Sequence, residues 1–234
     1  MLGFEPDPWQ AEVLRSSAKR LLLNCSRQSG KSTVVALLAL HTAMYWPGSL
    51  ILCLSPTLRQ SAELFRNVIR FYRMNMSASE AIPAESETAL RLVLENGSRI
   101  ISLPGKEQTV RGFASVSLLV IDEAARVPDD LYYSVRPMLA VSQGRMVALS
   151  TPFGTRGWWY EAWTNGGPEW ERWEIPASKC PRISPEFLEE ERRVLGSYWF
   201  EQEYNCKFLD AKTQVFRRED IDSMFREQVE VWDL

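Results

Sequence analysis

The sequence predicts an α/β fold: a mainly parallel central sheet flanked by helices, with a small C-terminal lid subdomain. Three observations predict it. Strand-length apolar runs alternate with helix-length segments along most of the chain. Two of those runs lead directly into "NCSRQSGKST" and "DEAA", polar segments of the kind that sit at the C-terminal edge of an open parallel sheet. Beyond Pro181 the pattern becomes helical and densely charged.

Length and composition set the bounds. A chain of 234 residues is long enough for one α/β domain with a small appendage and a substantial core. A formal net charge of -3 excludes a protein that coats nucleic acid by bulk charge, so any DNA contact must use a local patch. No run of roughly 18 uninterrupted apolar residues is present, and no membrane span is expected. The N-terminal "MLGFEPDPWQ" is acidic and broken by prolines, unlike a secretory signal. Cys25, Cys53, Cys180 and Cys206 lie far apart, and His41 is the one histidine. That spacing argues against a zinc site and fits a reducing cytosol better than a disulfide scaffold.

Taken in order, "KRLLLN" reads as a short buried strand and residues 31–46 as the helix after it, stopped by Pro47-Gly48. "SLILCLSP" is a second strand. "TLRQSAELFRNVIRFYRMN" is a second helix with an apolar stripe at Leu58, Ala62, Phe65, Ile69 and Tyr72. "ALRLVLENGSRIISLPG" forms a hairpin about Asn96-Gly97, a strong short-range turn signal. "VSLLVIDEAARVP" supplies a strand, "DDLYYSVRPMLAVSQ" a helix, although Pro137 argues against one, and "RMVALSTP" another strand. "RGWWYEAWTNGG" is a short helix ended by Gly166-Gly167, and "EWERWEIPA" the last strand. The lid helix begins with Ser184 as N-cap and Pro185 in the first helical position. The expected division is a core over 1–177, a lid over 178–215 and a linker over 216–234.

The chemistry starts at the first turn. A phosphate-binding loop needs a strand to deliver it, inward-facing backbone N–H groups and a helix N-terminus toward the anion. "CSRQSGKST" offers all three, although Cys25 replaces the first glycine of the motif. Gly30 allows close backbone approach, Lys31 can reach the β- and γ-phosphates, and Ser32 can ligate Mg²⁺. Ser26, Arg27, Gln28, Ser29 and Thr33 complete the cradle for ATP. The same residues also read as a helix N-cap with a solvated lysine. At a helix N-terminus beside phosphates, the Cys25 thiol is expected to have a lowered pKa and to react readily.

"LLVIDEAA" decides between these readings. It brings Asp122 to a position behind the Mg²⁺ and Glu123 to one where it can act as general base on water. Together the two motifs point to a P-loop NTPase, and the acidic pair points to its additional-strand (ASCE, RecA-like) division. "MVALSTP" is the candidate for the added strand, ending in Ser150 and Thr151 between the two motifs, where they can sense the γ-phosphate. Trp9 and Gln10 fit an adenine clamp, one ring face and one amide edge; Trp9 also suits simple packing of the first helix. Arg59, Arg66, Arg70 and Arg73 make a row on the second helix, readable as a solvated flank or as a phosphate-backbone or subunit contact.

Trp9-Gln10, "SRQSGKST", "RGFASVSLLVIDEAA", "LSTP" and the late "SYWFEQEYNCKF", taken in order, resemble the large terminase subunit of tailed bacteriophages. The resemblance implies an ATPase motor that packages double-stranded DNA into a procapsid through the portal ring. It implies further partners in the small terminase subunit and in copies of the chain itself, arranged as a ring on the portal and monomeric in isolation. It places the protein in the host cell cytoplasm. It also implies that Arg27 senses phosphate and that Arg111 acts as an arginine finger on a neighbouring subunit. Such proteins usually carry a C-terminal nuclease; with about twenty residues after Phe216, an isolated ATPase domain without nuclease activity is expected. A helicase-like ATPase shares the Gln, phosphate-loop, "DEA" and "STP" elements, but needs a second RecA-like half for which this length leaves no room.

Overall fold

Four strands are apolar on both faces, and that dictates where they sit. In the computed structural model, which describes residues 4–76, 81–105, 110 and 112–210, they form the middle of one eight-stranded sheet. They are β1 (Arg20–Cys25), β2 (Leu50–Ser55), β6 (Leu118–Asp122) and β7 (Arg145–Ser150). The remaining strands are β3 (Ala84–Glu87), β4 (Arg91–Leu94), β5 (Arg99–Pro104) and β8 (Glu171–Ile175). The order is β3-β4-β5-β2-β6-β7-β1-β8, antiparallel only between β3, β4 and β5. β7 therefore lies between the strand feeding the phosphate loop and the strand ending in Asp122, paired in parallel with both, as the additional-strand reading requires.

Side-chain alternation along these strands builds two cores. Leu21, Leu23, Ile51, Cys53, Leu118, Val120, Val147 and Leu149 face one side. There they meet α1 (Pro8–Arg15), α2 (Lys31–Tyr45) and α3 (Leu58–Asn75). Leu22, Leu52, Leu54, Leu119, Ile121, Met146 and Ala148 face the other side, under α4 (Asp129–Val135) and α5 (Gly157–Thr164). Burying each such leucine stabilises the fold by roughly 1.5–3 kcal/mol.

Most expected elements are present, with physical reasons for the differences. The buried stripe of α3 is Ser61, Leu64, Phe65, Val68, Phe71 and Tyr72. Leu58, assigned to the stripe from its spacing, is instead exposed at the first turn, ahead of the contact with the sheet. The 129–143 helix stops at Val135 and continues as a short 3₁₀ turn over Arg136–Leu139, because Pro137 cannot supply a helical N–H. The Asn96-Gly97 hairpin joins β4 to β5, with Gly97 at φ 82. Strand β3 had no apolar signal, since "AESE" pairs along an open edge and exposes its side chains.

The charged C-terminal segment forms α6 (Pro185–Glu203), capped by Ser184 Oγ accepting from the Phe187 N–H at 3.2 Å. Gly196 interrupts it with φ 71 and ψ 167, a conformation essentially confined to glycine. Ala177, Phe200 and Tyr204 make a third, small apolar cluster with Ile183, Leu188 and Leu195 packed on it. No helix among the described residues is long and apolar enough to cross a membrane.

Candidate nucleotide site

Strand β1 delivers the loop at the C-terminal edge of the sheet, and hydrogen bonds from both sides fix its path. The Ser26 N–H donates to the Ile175 carbonyl on β8, and the Arg27 N–H donates to the Glu203 carbonyl at the end of α6, each at 2.9 Å. Gln28 at φ 58 and Gly30 at φ 85 turn the backbone into α2. Only glycine suits position 30. A Cβ there would lie 2.8 Å from both Gln10 Nε2 and Arg182 Nη2, besides adopting a left-handed backbone.

Across β7, the edge of β6 presents the carboxylates. Asp122 is buried; its Oδ1 accepts the Glu123 N–H at 3.0 Å and its Oδ2 accepts from Ser32 Oγ at 3.4 Å. Burial pushes the Asp122 carboxyl up to about 6, against the pull of Lys31 in the other direction. Glu123 has φ 51 and ψ 44, a left-handed turn that swings its side chain back over the loop. Its Oε1 lies 3.2 Å from Lys31 Nζ. Burial alone would lower the Lys31 pKa, but the Glu123 and Asp122 carboxylates together outweigh it and raise it. Ser150 Oγ accepts the Ala125 N–H at 3.2 Å, tying the end of β7 to the turn after Glu123.

Lys31, Ser32 and Glu123 share one cleft of about 640 Å³, lined by residues 27–33, Gln60, Glu63 and Asn67 of α3, Glu123, Arg126 and Thr151. The volume suits a small-molecule ligand. A comparable hollow between α1 and α2 has apolar walls from Leu14, Leu37 and Met44 and none of these carboxylates. The chemistry, rather than size, singles out the first cleft.

Three expectations are corrected. Trp9 is packed in the core, so its ring offers no face to a ligand. Gln10 is fully buried, with Oε1 accepting the Asp7 N–H at 2.9 Å and Nε2 donating to the Ser29 carbonyl at 3.4 Å; its amide braces the loop instead of meeting a base. Cys25 is fully buried, and burial pushes its thiol up to about 12, outweighing the nearby Lys31. It is a core side chain that happens to precede the loop. Arg111 and residues 211–234 lie outside the described residues.

Two contacts had no signal in the local pattern. Arg182 Nη2 pairs with Asp7 Oδ2 and donates to the Ser29 carbonyl, both at 2.9 Å, joining α1, the loop and the segment before α6. Arg27 Nε lies 2.6 Å from Glu203 Oε2. Glu203 does stand inside the "SYWFEQEYNCKF" segment that carries the resemblance, so its region, though not its role, was marked.

The profile of the family described as "Terminase large subunit, T4likevirus-type, N-terminal" matches residues 22–223. The chain belongs to that terminase family. Among terminase relatives, the large subunit of Thermus virus P23-45 is 26% identical, aligned over 92% of this chain and 51% of its own length. The chain thus spans about half the length of the curated relatives it matches. The large terminase ATPase domain of Thermus phage P74-26 superposes with a TM-score of 0.79 at 26% identity, covering 89% of this chain and 96% of that domain. The large terminase of a thermophilic bacteriophage, solved in complex with ADP, gives 0.72 at 15% identity over 87% of this chain and 53% of that one, a likeness of fold.

Proposed function

We propose that this chain is the ATPase motor domain of a DNA-packaging terminase, hydrolysing ATP to drive double-stranded DNA into a procapsid through the portal. The observation that carries the reading is the convergence of Lys31, Ser32, Asp122 and Glu123 at one sheet edge, within ion-pair or hydrogen-bond reach of each other. Lys31 binds the β- and γ-phosphates. Their charge competes with Glu123 for the ammonium and releases that carboxylate toward water. Glu123 then takes the proton as the water oxygen bonds to the γ-phosphorus and the bond to the β,γ-bridging oxygen breaks, leaving ADP and phosphate.

Ser32 and Asp122 fit Mg²⁺: both are hard oxygen donors, and they lie side by side with Ser32 Oγ 3.4 Å from Asp122 Oδ2. When bound there, the cation would supply charge neutralisation for the β- and γ-phosphates. Arg27, which lines the cleft, is the proposed phosphate sensor, and Arg111 is the proposed finger for a neighbouring copy in a ring on the portal. The division into a core over 1–177 and a lid over 178–215 belongs to the same reading and is supported by the separate apolar cluster around Phe200. Double-stranded DNA, the portal, the small terminase subunit and the host cytoplasm complete it.

The test is ATP hydrolysis by the purified chain and its Lys31→Ala variant, with and without procapsids carrying portals. Hydrolysis abolished in the variant and stimulated by procapsids is expected. A parental rate in the variant overturns the site, and stimulation by free DNA but never by procapsids overturns the packaging role.

A further inference from the structure

One arginine of the cleft has no part in the reactions above. Arg126 sits in the 3₁₀ turn Ala124–Arg126, three residues beyond Glu123, and lines the cleft together with Lys31, Glu123 and Thr151. Its position is not an accident of a long side chain. The turn is held by the Arg126 N–H donating to the Glu123 carbonyl at 2.8 Å and by the Ala125 N–H donating to Ser150 Oγ. The backbone of Arg126 is thereby tied to both carboxylate-bearing and sensor strands.

The guanidinium of Arg126 lies 4.2 Å from the ring centroid of Phe153, two residues beyond Thr151. Among the described residues no carboxylate pairs with it, whereas Arg27, the other arginine of the cleft, is held by Glu203. Arg126 and Phe153 also line a second hollow of about 560 Å³ with Asp129, Arg156 and Trp158. Asp129 makes no ion pair with Arg126 among the described residues, and its Oδ1 accepts the Trp158 N–H at 2.8 Å.

We propose that Arg126 is a ligand of the terminal phosphate of a bound nucleoside triphosphate, with the Phe153 ring as its alternative seat. A guanidinium resting on an aromatic face is held weakly, while a phosphate oxygen offers charge-assisted hydrogen bonds in a fork geometry that suits arginine. Phosphoryl transfer builds charge on the γ-oxygens, which a second cation beside Lys31 stabilises. A diphosphate has no oxygen at that end of the cleft and leaves Arg126 on Phe153. The residue therefore distinguishes ATP from ADP, and its choice of seat is transmitted to the segment after β7 that carries Phe153. This inference rests on the ATPase reading and names a new contact within the same site.

Calorimetric titration of the chain with AMP-PNP and with ADP, both with Mg²⁺, tests it. Arg126→Gln should weaken AMP-PNP at least about tenfold and leave ADP affinity within about twofold. Retained ADP binding also certifies that the variant is folded. Phe153→Leu should shift the ratio the opposite way, favouring AMP-PNP by about two- to fivefold, because a competing seat of ordinary cation–π strength is gone. Equal weakening of both nucleotides by Arg126→Gln, or no change in either, overturns the proposal. Lys31→Ala separates the two readings. If wild type binds and Lys31→Ala does not, yet Arg126→Gln keeps the parental ratio, Arg126 alone is misassigned; if wild type binds neither nucleotide, both readings fall.

Discussion

Lys31 Nζ and Glu123 Oε1 lie 3.2 Å apart, so the cation of the phosphate loop and the carboxylate beyond β6 form one ion pair across the β7 edge. Each group is held in place by the other, and each has a different chemical task. That relationship separates binding from turnover in a way mutants can resolve.

Glu123→Gln is expected to keep ATP binding, since the amide preserves shape and Lys31 stays available. Turnover should fall by about 10²- to 10⁴-fold with the loss of the base. Single-turnover phosphate release, set beside nucleotide affinity, checks it. A parental hydrolysis rate would falsify the assignment of Glu123.

The buried thiols predict behaviour with pH. Burial pushes Cys25 and Cys53 up to about 12 from an ordinary 9.0, and raises Cys180 and Cys206 as well. A raised folded pKa gives stability that is complete below pH 9 and is lost as pH climbs toward 12, because the unfolded chain gives up those protons first. Each thiol lowers stability by up to about 1.4 kcal/mol per pH unit in that window. Denaturant melts at pH 8, 9 and 10 should show the decline, and iodoacetamide at pH 8 should label none of the four until unfolding. Rapid labelling of native Cys25 would contradict its burial.

Arg27 and Glu203 form a lopsided pair: the arginine side chain is 60% exposed and the glutamate side chain 8%. Removing the arginine strands a buried carboxylate, while removing the carboxylate leaves an arginine in water. Arg27→Ala should therefore cost about 1–3 kcal/mol and Glu203→Gln less than about 1 kcal/mol. Chemical denaturation of both variants measures the asymmetry. The reverse order would mean that the pair does not anchor α6 to the loop.

Gly196 has open space around its missing Cβ but a backbone only glycine adopts readily. Gly196→Ala should destabilise the kinked helix by about 1–3 kcal/mol or straighten it into one continuous rod. A thermal melt detects the first outcome and far-UV circular dichroism the second. An unchanged melt with unchanged helicity would show that the kink is not set by this residue.

The central strands and the two carboxylates were legible because they rest on local signals: "LLLNC" and "LLVID" are apolar on both faces, and such strands must lie centrally. The β7 insertion followed from Glu123 standing directly after Asp122. What escaped was tertiary. Nothing near Arg182 signals that it will reach Asp7 and the Ser29 carbonyl, which are far away along the chain. Trp9 was open to two uses and Gln10 was read as its partner in the clamp; packing decided, because α1 turns both side chains inward. Cys25 misled for a related reason: helix-terminus electrostatics favour a thiolate only where water or a cation can reach it, and this sulfur is enclosed.

The pairing of β1 has a consequence for how the molecule comes into being. Its neighbours are β7, where Arg20 meets Met146, and β8, where Cys25 meets Ile175. During synthesis the strand that feeds the phosphate loop has no partner until residues 26–144 have followed it. At about 5–20 residues per second, that interval is roughly 6 to 24 s. During it "RLLLNC", apolar on both sides, is a sticky nascent segment. The nucleotide cradle thus closes only after β7 and β8 have been made, so ATP cannot help this sheet fold before then. Chaperone dependence should track the length of the 26–144 interval rather than the strength of the nucleotide site.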